Sequence, residues 1–476
     1  MTWTYTLNDL HYYQKYAIIK AIKKRHCILS LGTGLGKTII ALTVIDQLLK
    51  RNEISKALIV CTKKAMYNTW RQEAKTWKHT QHLKFAIIHG DAHKGNSNYV
   101  KRRQLFSDVD IHLINYEGLP WLSDVLSRSF HNRLIPWQCI VYDESTKMKH
   151  STNQRFLTFK KFMGKFVYRY PMTGTLIPNG YLDLFGQVYI MDLGMSLGTS
   201  LDRYRRRYFF AVPSSGGYFN YKPIKGTKKA LTKRLKDRVI HMPKEEYVKL
   251  PPITYNKIML DLPDELRKQY DELEYKFFLE LKEAKVEAFS AGTLSMKLRQ
   301  FLQGKVYVYE KNIRKVVKIH TEKLEMVSEM MEGIGNCIIA YNFQFERDDL
   351  QSVFKKAPAI DGRTTDKQAS QYIQAWNNKQ VSVLLFNPAS DPHGLNLQKG
   401  GHNVLWYSLT WNLEHYIQLI DRLWRQGQEK KVFVHHVLFR DTVDEIVYNT
   451  LQVKDKTQTS LLSRLKEYGQ KKGVLK

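Results

Sequence analysis

The chain has 476 residues, 43% hydrophobic and 25% charged, a globular balance that excludes wholesale disorder and accommodates roughly two or three domains. Lys and Arg number 75 against 45 Asp and Glu, a formal charge of +30 that points to a polyanionic partner, nucleic acid first and an anionic membrane surface second. Met1–Lys20 lacks a secretory pattern, no apolar run approaches a membrane span, and Cys27, Cys61, Cys139 and Cys337 form no CxxC pair. The expectation is a soluble cytoplasmic protein without a zinc site or disulfides, its cysteines packing as small apolar residues beside strands.

In chain order, short apolar runs alternate with amphipathic stretches. Strands are predicted over 27–30, 57–61, 84–89, 111–115 and 138–142, with helical spacing of Ile40, Val44, Ile45 and Leu48 after the first. This pitch predicts an α/β fold with a mostly parallel sheet. Residues 201–250 break it, with 14 Lys or Arg against 4 Asp or Glu, and read as a basic insertion and connector. Residues 262–300 read as long charged helices, Leu266, Tyr270, Leu273 and Phe277 sharing a face. Alternation resumes, with strands predicted over 338–343, 357–361, 381–386, 402–407 and 432–438, and the last 26 residues form a basic tail. The expected domains are a first lobe over 1–200, the insertion over 201–250, a helical insertion over 251–310, and a second lobe over 311–476.

Gly32-Thr33-Gly34-Leu35-Gly36-Lys37-Thr38 follows a short strand and opens a helix, the context of a phosphate-binding loop. Lys37 would reach the terminal phosphates of ATP and the Thr38 hydroxyl would ligate Mg²⁺. Leu31 stands where the general pattern has its first glycine. Val141-Tyr142-Asp143-Glu144 ends an apolar strand about 105 residues further on. An isolated Asp-Glu pair is mostly a solvated strand end; downstream of a phosphate loop, Asp143 suits holding Mg²⁺ and Glu144 suits orienting or deprotonating the attacking water.

These residues resemble the superfamily-two helicases and, within them, the Swi/Snf-like DNA translocases. Tyr13-Gln14 resembles the family's adenine-recognition element, and Gly34 to Thr38, with Thr33 and Leu35, its phosphate loop. Leu58 to Cys61 with Asn68 to Trp70, and Asn115-Tyr116-Glu117, resemble segments that touch the DNA backbone. Asp143-Glu144-Ser145-Thr146 stands for Asp-Glu-x-His, with Thr146 in place of histidine. Thr173-Gly174-Thr175-Leu176-Ile177-Pro178-Asn179 resembles the segment that couples ATP to DNA, with Leu176 in place of proline. Further along, Glu322-Lys323-Leu324, Asp361-Gly362-Arg363-Thr364-Thr365, Gly394-Leu395-Asn396-Leu397 and Trp411-Asn412 match in order. The run Gln418-x3-Arg422-x2-Arg425-x-Gly427-Gln428 is the most specific. Arg422 and Arg425, three apart, are expected on one helix face, reaching the γ-phosphate as arginine fingers do.

The resemblance spans about residues 7 to 450 and implies two RecA-like lobes with ATP and Mg²⁺ between them. Gly394, Asn396 and Gln418 would complete the nucleotide contacts. It further implies DNA, double-stranded or branched, stepped by cleft closure in replication or recombination, in a compact motor like those of phages and mobile elements, with no room for an accessory nuclease or regulatory domain. The basic stretch 201–250 is a candidate for DNA backbone contact, and Tyr204, Tyr208, Phe209 and Phe210 could stack bases but are more often core. Two alternatives stay open: a helicase separating strands, and a DNA-binding module using ATP as a switch.

Overall fold

The structure, a computed structural model, describes residues 5–90, 97–129, 135–177, 180–213, 219–283, 288–310, 313–355, 357–390 and 396–452. The chain folds as two compact units, the first built mainly from residues before 250 and the second mainly from those after.

In chain order the first strands are β1 (Ile28–Leu31), β2 (Ala57–Cys61), β3 (Phe85–Ile87), β4 (Ile111–Asn115), β5 (Cys139–Asp143) and β6 (Tyr168–Thr173). The short strands β7 (Phe209–Pro213) and β8 (Phe219–Pro223) pair separately, and β9 (Val239–Met242) follows. The first sheet runs β3-β4-β2-β5-β6-β1-β9, every pair parallel. Parallel sheets are covered on both faces, so their strands are continuous apolar runs. Ala57–Cys61 is such a run, buried at all five positions.

The second unit contributes β10 (Ile253–Leu260), β11 (Lys305–Glu310), β12 (Ile313–Lys318), β13 (Cys337–Ala340), β14 (Ala359–Ile360), β15 (Val383–Phe386), β16 (Asn403–Trp406) and β17 (Val432–Phe439). Its main sheet runs β10-β17-β16-β13-β15-β14, again parallel, while β11 and β12 form an antiparallel hairpin. The fold is thus α/β, two parallel-sheet lobes with helices packed on them.

Each run expected as a strand is one, several of them shorter. Three strands of the main sheets were not expected. β6 carries Arg169 and Pro171, yet it is central and buried throughout. Arg169 is accommodated because its Nε donates to the Met191 carbonyl at 2.7 Å. β9 lies within the basic stretch and pairs with β1, and β10 is an edge strand with partly buried, alternating residues. The charged region forms two helices, Asp264–Glu283 and Ala288–Leu302, with Tyr270 buried and Leu266 and Leu273 packed on the same cluster. The side chain of Phe277 lies outside the described residues. All four cysteines are buried thiols at or beside strands. Among the described residues no helix is long and apolar enough to cross a membrane.

Lys323 and Asp444 form a 2.8 Å ion pair with side chains only 1% and 3% exposed. The pair ties the start of the helix Glu322–Ile334 to that of the helix Val443–Gln452. Lys323→Met strands the buried carboxylate and is expected to cost the second unit about 3–5 kcal/mol, read as a lower urea midpoint.

Candidate active site

β1 ends at Leu31, and the chain turns through Gly32–Gly36 into the helix Lys37–Lys50. Gly34 and Gly36 hold φ of +89° and +76°, values that a side chain disfavours. Space forbids one as well: a Cβ on Gly36 would lie 2.4 Å from the Gln14 amide nitrogen. Gln14 is buried, donating to the Leu35 carbonyl at 3.2 Å and accepting from the His11 amide at 2.9 Å. The Lys37 ammonium donates to the Leu31 carbonyl at 3.1 Å. It lies 3.7 Å from where Gly174 would carry a Cβ, and Thr33 Oγ1 lies 3.2 Å from the same point. Gly174 therefore lets the segment after β6 press against the loop. Thr38 is the second residue of the helix, half-buried.

Tyr13 is 2% exposed, stacked on His11 with ring centroids 5.3 Å apart and near Tyr247 at 5.4 Å. Burial pushes its phenol up to about 12. The structure makes Tyr13 a core ring and leaves Tyr12 open.

The acidic pair ends β5. β6 lies between β1 and β5, with Ser30 in register with Thr173 and Asp143 with Met172. Two strand spacings, about 10 Å, therefore separate the loop strand from the acid strand. Glu144 has φ +56° and ψ +60°, a left-handed conformation costly for a side-chain-bearing residue. The Tyr116 hydroxyl holds that turn, donating to the carbonyls of Asp143 at 2.7 Å and Glu144 at 3.3 Å. Burial, with Asp143 nearby, holds the Tyr116 phenol well above its usual range, so it remains a donor. Ser145 Oγ donates to Gln187 Oε1 at 2.9 Å, and Gln187 Nε2 donates to the Leu176 carbonyl at 2.9 Å. This buried amide links the acidic turn to the Thr173–Leu176 segment. Gln187 was not anticipated; its only signal is an amide inside the otherwise apolar run Leu184–Met191. Pro178 and Asn179 lie outside the described residues.

Thr38 and Asp143 offer a hydroxyl and a carboxylate, the hard oxygen donors that Mg²⁺ takes together with phosphate and water. No cluster of three metal-ligating side chains occurs among the described residues. The hydroxyl of Thr38 and the carboxylate of Asp143 are donors of the kind Mg²⁺ takes, since it is commonly held by one or two carboxylates and its substrate.

In the second unit the helix Leu413–Leu423 is capped by Asn412, whose side chain accepts from the amides of Glu414 at 2.9 Å and His415 at 3.3 Å. Gln418 donates to Glu414 at 3.3 Å. Arg422 is in the last turn and buried. The expectation of both arginines on one helix face is corrected here. The helix stops at Leu423, and Arg425 sits in the turn that Gly427 completes with φ +90°. Trp424 fixes that stop by donating to the Pro251 carbonyl at 2.8 Å. Gln428 adds bonds to the carbonyls of Gln398 at 3.1 Å and Gly401 at 2.9 Å. The Leu397 amide donates to the Arg422 carbonyl at 3.2 Å, so the exposed Asn396 lies beside the helix end. Gly394 lies outside the described residues. Each unit thus gathers its own set: Gln14, Thr33 to Thr38, Asp143 and Glu144 in the first, Asn396, Gln418, Arg422 and Arg425 in the second.

The basic stretch is likewise sorted by the fold. In the helix Leu201–Tyr208, Tyr204 and Tyr208 are buried and Phe209 follows them inward, so these rings are core; Arg203, Arg206, Arg207 and Phe210 face solvent.

One unanticipated group organises the strand ends of the second sheet. Glu346 Oε2 accepts from the amides of Asn342 at 2.7 Å and Phe343 at 3.0 Å and from Ser408 Oγ at 2.8 Å. It fastens the loop after β13 to the loop after β16. Burial pushes its carboxyl up to about 7, opposed by these donors and Arg299. The folded state then keeps a proton that the unfolded chain releases near the usual 4.5, so the stability it contributes is full below that value and falls as pH rises through 7. Glu346→Gln keeps an acceptor and removes the titration. It is expected to raise the melting temperature by several degrees at pH 8 and not at pH 5; equal shifts at both would refute the assignment.

The SNF2-related domain family matches residues 3–317, and the helicase conserved C-terminal domain family matches residues 322–427. Protein p41 of Acyrthosiphon pisum secondary endosymbiont phage 1 is 29% identical, over 91% of this chain and 94% of its own length. An ATP-dependent helicase of Mycoplasma genitalium is 25% identical over 97% of this chain, which spans 43% of that protein. The DNA repair and recombination protein RAD54-like of Danio rerio is 22% identical over 88% of this chain, which spans 61% of it. Among solved structures, the Sulfolobus solfataricus SWI2/SNF2 ATPase core in complex with dsDNA aligns with a TM-score of 0.44 at 20% identity, covering 93% of this chain and 90% of that one.

Proposed function

The chain belongs to the SNF2-related family and is an ATP-dependent helicase-type ATPase; from that premise we propose that it is a DNA translocase acting on duplex or branched DNA. The observation that carries this reading is the phosphate loop set two strands from a strained Asp-Glu turn, with the Thr173–Leu176 segment between them. A merely nucleotide-binding switch needs the loop but not a positioned acid.

In the proposed mechanism the Lys37 ammonium leaves the Leu31 carbonyl for the terminal phosphates of ATP. The loop amides and the helix N-terminus neutralise the remaining charge. Mg²⁺, when bound, would be held by Thr38 and Asp143 and supply charge neutralisation on the phosphate oxygens. Glu144 orients the attacking water and takes its proton. Arg422 and Arg425 of the second unit stabilise the γ-phosphate in the transition state, and hydrolysis releases that grip. Gln187 ties the acidic turn to the segment after β6, giving the state of the nucleotide a route to the DNA-facing side. Asn396 and Gln418 would complete the nucleotide contacts from the second unit.

The charge of +30 supports phosphate-directed binding without sequence preference. The outward arginines of the helix Leu201–Tyr208 are candidates for backbone contact. The relative named for DNA repair and recombination favours work on recombining DNA, and the phage relative favours a host cytoplasm.

Steady-state hydrolysis, measured at one salt concentration with no DNA, single strands, duplex and a four-way junction, tests the reading. Duplex or junction is expected to stimulate most; stimulation mainly by single strands would replace translocation with strand separation. Lys37→Ala should lower turnover by about a hundredfold or more, through loss of transition-state charge stabilisation. Arg425→Ala should bind ATP normally yet turn it over about a thousandfold more slowly; unchanged turnover would remove the finger role.

A further inference from the structure

The hairpin of β11 and β12 is fastened at its root and open at its outer end. At the root, the Tyr307 amide donates to Gln300 Oε1 at 3.0 Å, the Tyr307 ring meets Phe345 with centroids 5.2 Å apart, and Lys305 pairs with Asp349. Towards the other end Tyr309 is 70% exposed and Ile313 64%; Val316 and Val317, level with the root, are 48% and 44% exposed. A two-stranded ribbon alone is marginally stable in water, so the root bonds hold it out from the unit. Two widely open apolar side chains at that end, Tyr309 and Ile313, bury little against the fold.

Register places Tyr309 opposite Arg314 and Tyr307 opposite Val316, so these four share a face. The Arg314 guanidinium lies over the Tyr307 ring, 4.6 Å from its centroid, and donates to Gln344 Oε1 at 2.9 Å. The exposed Tyr309 ring therefore sits beside a guanidinium already fixed in place. Lys305, Lys311, Arg314, Lys315 and Lys318 outnumber the single acid, Glu310, in this segment. Aromatic and guanidinium surfaces within a positive field suit stacked nucleobases. The same charges guard the edge of β12 against an added protein strand. Gln344 and Phe345, which brace the hairpin, follow the carboxyl end of β13, the side of a parallel sheet where ligands bind.

We propose that this hairpin is a DNA-opening pin, with Tyr309 stacking on an unpaired base at a branch or fork from one face of the ribbon and Ile313 wedging from the other. The proposal rests on the DNA-motor reading and adds the preferred DNA feature. It names Tyr309, Ile313 and Arg314; residues 311 and 312 lie outside the described residues.

The test is equilibrium binding of the full chain, at one salt concentration, to a forked duplex and to a blunt duplex of equal length, alongside duplex-stimulated hydrolysis. The unaltered protein is expected to prefer the fork. Tyr309→Ala should weaken fork binding about tenfold while blunt-duplex binding and hydrolysis stay within about twofold, and Tyr309→Phe should retain the preference. Ile313→Ser, a second exposed change, should likewise weaken fork binding and leave blunt-duplex binding within about twofold. Hydrolysis indifferent to every DNA would overturn the motor reading and the pin with it. DNA-stimulated hydrolysis without fork preference, a preference surviving Tyr309→Ala, or equal losses on both substrates would overturn the pin alone.

Discussion

The first unit depends on the position of one strand. β6 is hydrogen-bonded on one side to the strand that ends in the phosphate loop and on the other to the strand that ends in Asp143. Because all three are parallel, their carboxyl ends fall on one edge, and strand spacing sets the gap between Lys37 and the acidic pair. The loop after β6 is then held between them. Gly174 answers the crowding, since a side chain there would press on Thr33 and approach Lys37.

The sheet fixes Asp143 but not Glu144, because register ends with the strand. The left-handed turn at Glu144 is held instead by the Tyr116 hydroxyl on two successive carbonyls and by Ser145 bonded to Gln187. A strained residue persists only where its surroundings over-determine it. Gln187 also bonds the Leu176 carbonyl, so a shift in the acidic turn is felt directly by the segment after β6.

The buried strands were legible because parallel sheets demand uninterrupted apolar runs, as in Ala57–Cys61 and Val383–Phe386. The phosphate loop was legible from its glycines and Lys-Thr, and the structure sets both of its left-handed positions on glycine. β6 was hidden because Arg169 and Pro171 interrupt its pattern, and the reason they fit is tertiary: Arg169 finds the Met191 carbonyl. β9 was hidden by its basic surroundings. The offset of Arg425 was in principle readable, since a glycine two residues on marks a helix end; spacing alone suggested a continuous face. Tyr116 showed as part of a motif, but its hydroxyl contacts reach the end of β5, two strands from β4 in the sheet, and leave no local trace.

The second unit solves the same problem with different chemistry. Its strands also end on one edge, and register again says nothing about the loops beyond. There Glu346 gathers two backbone amides and a hydroxyl onto one oxygen, joining the loop after β13 to the loop after β16, while the Asn342 side chain bonds the Ser408 carbonyl at 2.8 Å. Leaving such a group buried is costly unless its partners are in place. The two loops consequently hold or yield together, and the hairpin inherits that rigidity because Arg314 and Tyr307 rest on Gln344 and Phe345, the residues between the Asn342 loop and Glu346. In both units, then, a parallel sheet sets the positions of strand ends, and a few buried polar side chains with backbone partners fix the loops that the sheet cannot reach.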